Sequence, residues 1–348
     1  MVGYLFLFLG LVLFSLLCKG KGKEQSALIV LGLTLIFVYM ALDMYKIHDV
    51  SLYQQNFNYY KNFSLGRLNQ IETYEEQGYV ALNILFSKIG GFRFFYFFYA
   101  VCVIASFLFF IKKYSNSIWF SSILLICTSF LALFVMRQYF AIVICLFSIN
   151  YIFKRKPLHF FLCIILAYYF HRSSIVFSVC YFLPLIKLNY RTLLLTLLGS
   201  IIVFMSIGYI SEILISSILD NDMASHYMAY IEEDSSNSWK SAAIAVADLG
   251  FALLCYREHF KELSTKQCFF FFMCVIYTVL SIVDVLGSAF SALYRILPYF
   301  GISIIILLPD AISFIKSKGL RFMSIMVIVL LYAVLLISTA GPWFYFTF

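Results

Sequence analysis

Long apolar runs separated by short charged breaks dominate the chain, and the runs carry no two-residue alternation. Phe269 to Ile282, for example, is apolar almost without interruption, which excludes a transmembrane barrel and predicts helices. The first run, Val2 to Cys18, has no basic residue before it and Lys19, Lys21 and Lys23 after it. A cleaved signal peptide has the opposite charge order, so this run is expected to stay as a first span with its N-terminus outside. A second span follows to about Asp43, and a return span begins near residue 92. Between them, residues 44–92 are too polar to cross a bilayer. Within that stretch, Tyr79 to Ile89 places Leu82, Leu85, Phe86 and Ile89 at three- and four-residue spacing, which predicts a short helix lying in the outer interface.

Composition sharpens this pattern. Of 348 residues, 63% are hydrophobic, 20% aromatic and only 12% charged. Soluble domains carry about 25% charged residues, so a soluble enzyme or free binding module is excluded. Basic residues gather at six places, 19–23, 112–113, 154–156, 187–191, 257–266 and 316–321, which the positive-inside rule puts in the cytoplasm. The formal charge of +8 therefore reports topology rather than nucleic-acid binding. Successive cytoplasmic clusters need an even number of crossings. The count is about twelve helices in one transmembrane domain, 1–348, with both termini extracytoplasmic and outer loops at about 44–92 and 214–240. Nine cysteines lie in or beside apolar runs with no CxxC, so neither a disulfide nor a zinc site is expected, and no cofactor is invoked.

Residues 157–186 are too few for two full spans. Two helices of about 15 residues reach roughly 22 Å each against a hydrocarbon core of about 30 Å. Their vertex, His171-Arg172, is thus expected below the outer surface, in a protein-lined cavity. Ionisable residues in apolar segments are costly and mark function by default. Arg137, His171, Arg172, Asp284 and Arg295 stand out on the outer half. Each has a plainer reading: an interfacial anchor for Arg137, a core histidine for His171, a mutually neutralising pair for Asp284 and Arg295. Asp248, in mid-span, reads as structural. The acidic loop 220–240 reads as a solvated loop or as a sugar- or cation-binding lid. Arginines, a histidine and carboxylates under the outer leaflet suit an anionic lipid headgroup. The guanidinium fork holds phosphate oxygens and keeps its charge, while histidine or a carboxylate takes a proton from an attacking hydroxyl. Nucleotide-hydrolase, serine-hydrolase and zinc-protease signatures are missing.

Several of these residues fall into a wider pattern. Met136-Arg137-Gln138 with Ala141, Tyr151 with Lys154-Arg155-Lys156, then Ala167 and Phe170-His171-Arg172-Ser173-Ser174 resemble the EpsG family of Wzy-type bacterial polysaccharide polymerases. Glu76-Gln77-Gly78-Tyr79 with Leu82-Asn83 and Gly90 is similar to that family's E-x-G-Y-x-x-L-N element. Asp49, Tyr53 and Phe57 resemble its D-x-x-x-Y-x-x-x-F element, and Arg295 resembles an arginine of its C-terminal half. The chain departs from the family at Asp43 and Ile47, where an arginine and a glycine are usual.

The resemblance implies an all-α, GT-C-like membrane glycosyltransferase. It would join undecaprenyl-diphosphate-linked repeat units of O-antigen, capsule or exopolysaccharide at the outer face of the bacterial cytoplasmic membrane. Implied partners are that lipid-linked oligosaccharide, membrane lipid, a chain-length regulator and a repeat-unit flippase, with no nucleic acid. Arg137, and with it Arg295 and Arg172, would clamp the diphosphate. His171 would be the base and Asp49 the alternative. Gln138, Tyr53, Glu76 and Asp284 are the further substrate-binding candidates. An O-antigen ligase-like transferase and a non-enzymatic flippase or exporter of lipid-linked sugar are the competing readings. The buried charges cluster towards one face, which favours chemistry over transport.

Overall fold

The computed structural model describes residues 2–18, 23–41, 48–129, 135–218, 238–286 and 295–344, and every regular element among them is helical. The order is α1 (Val2–Cys18), α2 (Glu24–Ala41), α3 (His48–Tyr60), α4 (Gln77–Ile89), α5 (Phe92–Tyr114), α6 (Ile118–Ser129), α7 (Met136–Phe153), α8 (Pro157–Tyr168), α9 (Tyr190–Ile218), α10 (Ser238–Tyr256), α11 (Thr265–Leu286), α12 (Leu297–Gly301), α13 (Ile304–Ser313) and α14 (Lys318–Phe344). Tight 3₁₀ turns occupy Leu65–Gln70, Arg172–Tyr181 and Leu183–Leu185. Among the described residues, five helices are long and apolar enough to cross a membrane, within α5, α7, α10, α11 and α14, and further apolar stretches lie in α1, α2, α6, α8 and α9. The expected count of about twelve spans goes beyond those five. Asp43, Ile47 and most of loop 220–240 lie outside the described residues.

The polar stretch 44–92 differs from the loop expected there. It holds α3, a 3₁₀ turn and α4, so only the last of its helices was legible. Asp49, Tyr53 and Phe57 are spaced at four residues and share one face of α3, with Tyr53 and Phe57 buried and Asp49 exposed. On α4, Leu85 and Ile89 are exposed as an interfacial stripe requires, but Tyr79, Val80, Asn83 and Ile84 form the packed face. Val80 and Ile84 pack with Tyr60 under Phe63, Leu68 and Ile71.

The chain packs as two compact units, one of Met1–Tyr151, Leu158–Ile175 and Gly319–Phe348, the other of Ile152–Pro157 and Val176–Lys318. In the first, α5 is the organiser. Phe92, Phe95, Tyr96, Tyr99, Val103 and Phe107 recur at helical spacing and are all buried. Their rings meet Tyr39 of α2 at 4.8 Å, Phe57 of α3 at 5.7 and 5.9 Å, and Phe140 of α7 at 4.9 and 6.3 Å. Such stacked and edge-on pairs add about 0.5–1.5 kcal/mol each beyond burial, and they tie the polar stretch 48–89 to α5 and α7.

In the second unit α11 is buried all round from Phe269 to Val275, as a central helix should be. The Thr278 hydroxyl donates to Ala245 O of α10 at 3.1 Å. Asp310 of α13 is buried and accepts from Tyr256 Oη at 2.7 Å and Gln267 Nε2 at 2.8 Å. Its place inside the apolar run 304–312 was the overlooked sign that it is a buried pin.

Candidate active site

Three separate pieces of the first unit converge on one carboxylate. Glu76 occupies the N-cap position of α4 in extended backbone, and its Oε2 accepts a hydrogen bond from Arg137 Nη1 at 2.9 Å. Its Oε1 lies 3.2 Å from His171 Nδ1 and accepts the Arg172 backbone N–H at 3.3 Å. Nδ1 thus sits within reach of the carboxylate, although the ring is not aligned for a linear N–H···O bond. Nε2, on the far side of the ring, is buried without a hydrogen-bond partner among the described residues.

Local sequence explains why these pieces meet. After α8, the Ala167 carbonyl accepts both the Phe170 and the His171 N–H at 2.9 Å, folding the chain back on itself. The return limb is the 3₁₀ helix Arg172–Tyr181, not the α-helix the sequence suggests. Rising about 2.0 Å per residue, a 3₁₀ limb reaches further for its length than an α-helix. His171-Arg172 is therefore the vertex between α8 and that limb, where the residue count puts it. Gly78 then brings α4 onto that vertex. Its N–H donates to Tyr169 O at 2.8 Å, and a Cβ there would lie 2.6 Å from the same oxygen. Only glycine permits that approach, which is the physical content of the E-x-G-Y spacing.

Aromatic groups wall the cluster. The Arg137 guanidinium lies 6.0 Å from the Tyr79 ring centroid, within cation–π range. Tyr79 meets Tyr53 edge-on at 5.8 Å, and the Tyr53 hydroxyl interacts with Arg137. About 29% of the Arg137 side chain remains exposed, against 8% for Glu76. Burial alone would raise the Glu76 carboxyl, but His171 and the Arg137 charge outweigh it and hold the group at about 2.

Beside it, Thr73 and Glu75 anchor the approach to α4. Thr73 Oγ1 shares a 2.7 Å bond with Tyr60 Oη and accepts the Glu75 N–H at 3.2 Å, while Asn56 Nδ2 donates to Glu75 Oε1. Neither Glu75 nor Asn56 stood out in the sequence. The adjacency of two carboxylates at Glu75-Glu76 is the sign available there.

Of the sequence candidates, Arg137, His171, Glu76 and Tyr53 come together here. Gln138 is buried on the next position of α7. Arg172 contributes its backbone N–H while its side chain is exposed. Asp49 is exposed one turn before Tyr53. Asp284, in the last turn of α11, and Arg295, just before α12, belong to the second unit, as does buried Asp248. An oriented imidazole beside a guanidinium that keeps exposed surface can pair proton acceptance with anion binding.

No curated protein and no solved structure matches the chain significantly. The profile of the EpsG family matches residues 33–348, nearly the whole length, and takes in α3, the Glu76 segment, Arg137 and His171. With its membrane-length helices, this chain belongs to the EpsG family of Wzy-type polysaccharide polymerases.

Proposed function

We propose that this protein joins undecaprenyl-diphosphate-linked oligosaccharide repeat units into O-antigen, capsule or exopolysaccharide at the outer face of the cytoplasmic membrane. The observation that carries the reading is Glu76, which engages Arg137 and His171 from opposite sides of one carboxylate. In the reaction, an acceptor-sugar hydroxyl oxygen bonds to the anomeric carbon of the donor repeat. The bond from that carbon to the diphosphate oxygen breaks, and its electron pair leaves with the lipid diphosphate. The hydroxyl proton goes to His171 Nε2, with Glu76 orienting the ring from the Nδ1 side as a carboxylate orients a catalytic imidazole elsewhere. Arg137 binds the departing diphosphate, whose charge its fork matches. A repeat-unit flippase upstream and a chain-length regulator alongside are the partners proposed with this reading.

The test is His171→Gln in purified, liposome-reconstituted protein supplied with lipid-diphosphate-linked repeats. Losing a general base lowers a rate by about 10²–10⁴-fold, so the variant is expected to bind substrate yet leave single repeat units. Long polymer from His171→Gln would refute the base assignment and move it to Asp49, whose Asp49→Asn variant should then be inactive.

A further inference from the structure

Glu75 and Glu76 stand side by side, yet their surroundings differ. Glu76 is fully engaged by Arg137, His171 and the Arg172 N–H. Glu75 accepts from Asn56 on Oε1 and has the Tyr60 hydroxyl nearby, but that hydroxyl is engaged with Thr73 Oγ1 at 2.7 Å, and Glu75 Oε2 is buried with no well-aligned hydrogen bond among the described residues. The titratable and charged groups facing Glu75 are Tyr60 and Tyr53 of α3, Tyr79 of α4, Arg137 of α7 and Glu76 beside it. One guanidinium thus answers two carboxylates, and Glu76 holds the direct contact. A buried acceptor left unmade is costly, and an anion arriving at Arg137 would add negative charge where one cation already serves two.

Resting on the reading of Arg137 as the diphosphate ligand, we propose that Glu75 is a proton-linked binding residue for the anionic headgroup, carrying a proton on Oε2 in the complex. Protonation removes one of the two charges competing with the incoming anion for Arg137, and the O–H so formed on Oε2 donates to an oxygen of that anion. The proton comes from solvent, and no other bond changes. Glu76 cannot take this role, because its contacts all favour the ionised form. Burial already pushes the Glu75 carboxyl above its ordinary value, with Arg137 and Tyr60 opposing and Glu76 reinforcing. An added anion pushes the same way.

Linkage makes this measurable. Between the proton affinities of the free and the bound protein, binding takes up as much as one proton, and affinity falls by up to about tenfold per pH unit as pH rises. The full chain in detergent micelles is titrated with farnesyl diphosphate, a short prenyl diphosphate, from pH 5.5 to 8.5. Wild type and Glu75→Gln are compared, since glutamine keeps the acceptor for Asn56 and resembles the neutral acid. The ligand's own ionisation affects both proteins alike, so the ratio of their dissociation constants reports Glu75. That ratio is expected to grow with pH, with Glu75→Gln the tighter binder at the alkaline end. A ratio constant with pH, or weaker binding by Glu75→Gln throughout, overturns the proposal. If Glu75→Gln fails to fold, calorimetry of wild type in two buffers of different ionisation enthalpy counts the proton directly, and no uptake at any pH overturns it. Arg137→Lys, measured alongside, separates the two claims. Binding at least tenfold weaker in Arg137→Lys, with a flat Glu75 ratio, sinks this inference alone. Unaltered binding in Arg137→Lys sinks the reading on which it rests.

Discussion

Replacing Glu76 with glutamine removes one charge and little else, because the amide oxygen still accepts the Arg172 N–H. Its cost follows from the shifted carboxyl. A group lowered from 4.5 to about 2 prefers its ionised form in the folded protein by about 3 kcal/mol, and its side chain is only 8% exposed, so solvent screening takes little away. Because the folded value lies below the unfolded one, that stabilisation is fully present above about pH 5. It fades as pH falls through 4.5 towards 2. Glu76→Gln is therefore expected to be about 3 kcal/mol less stable than wild type at pH 7, with the gap roughly halved near pH 3.3. Unfolding of the purified protein in mixed micelles by graded sodium dodecyl sulfate, at pH 7 and pH 3.5, measures both values. Equal stability at pH 7, or a gap unchanged at pH 3.5, would refute the hub role of Glu76.

Three further outcomes are expected. Gly78→Ala drives a Cβ to within 2.6 Å of Tyr169 O, and such overpacking costs about 1–3 kcal/mol; the variant should insert normally yet lose most polymerase activity, and normal activity would show that α4 need not touch the vertex. Asp310→Ala strands the Tyr256 hydroxyl and the Gln267 amide, costing about 1–3 kcal/mol for each group left unpaired, read as a lower unfolding midpoint; an unchanged midpoint contradicts the pin. Reporter fusions at residues 155, 189, 260 and 318 should read cytoplasmic and at residue 60 external, and a cytoplasmic signal at 60 would remove the outer-face site.

Much of this architecture was legible before any coordinates, for a physical reason. In a bilayer, apolar length and basic clusters report directly on helices and their ends, so α1, α2, α5 and α14 appear where the runs and clusters put them. The hairpin vertex at His171-Arg172 came from length alone, since 30 residues cannot make two full spans. Legibility ended where polar residues fold by tertiary contact. α3 does carry a buried stripe, Val50, Tyr53, Phe57 and Tyr60 at three- and four-residue spacing, but it is short and interleaved with Gln54, Gln55, Asn56 and Asn58, so it reads as loop. The 3₁₀ character of 172–181 has no periodic signature in ten residues. Arg137 and His171 were visible as charges in apolar surroundings, but the sequence does not say that Glu76, far upstream, holds both. Nor does it mark Glu75, whose distinction from Glu76 lies wholly in which neighbours each carboxylate meets.

The central claim is that linkage of repeats is driven by departure of a lipid diphosphate held by Arg137. Its most direct test counts both products in reconstituted vesicles: sugar linkages formed, by electrophoretic ladder, and undecaprenyl diphosphate released, by chromatography. Wild type should release one lipid diphosphate per new linkage. Arg137→Lys, which keeps the charge and loses the fork, should insert and pair with Glu76 yet stall both counts together. Full ladder formation by Arg137→Lys, or linkages formed by wild type without release of lipid diphosphate, would contradict the account.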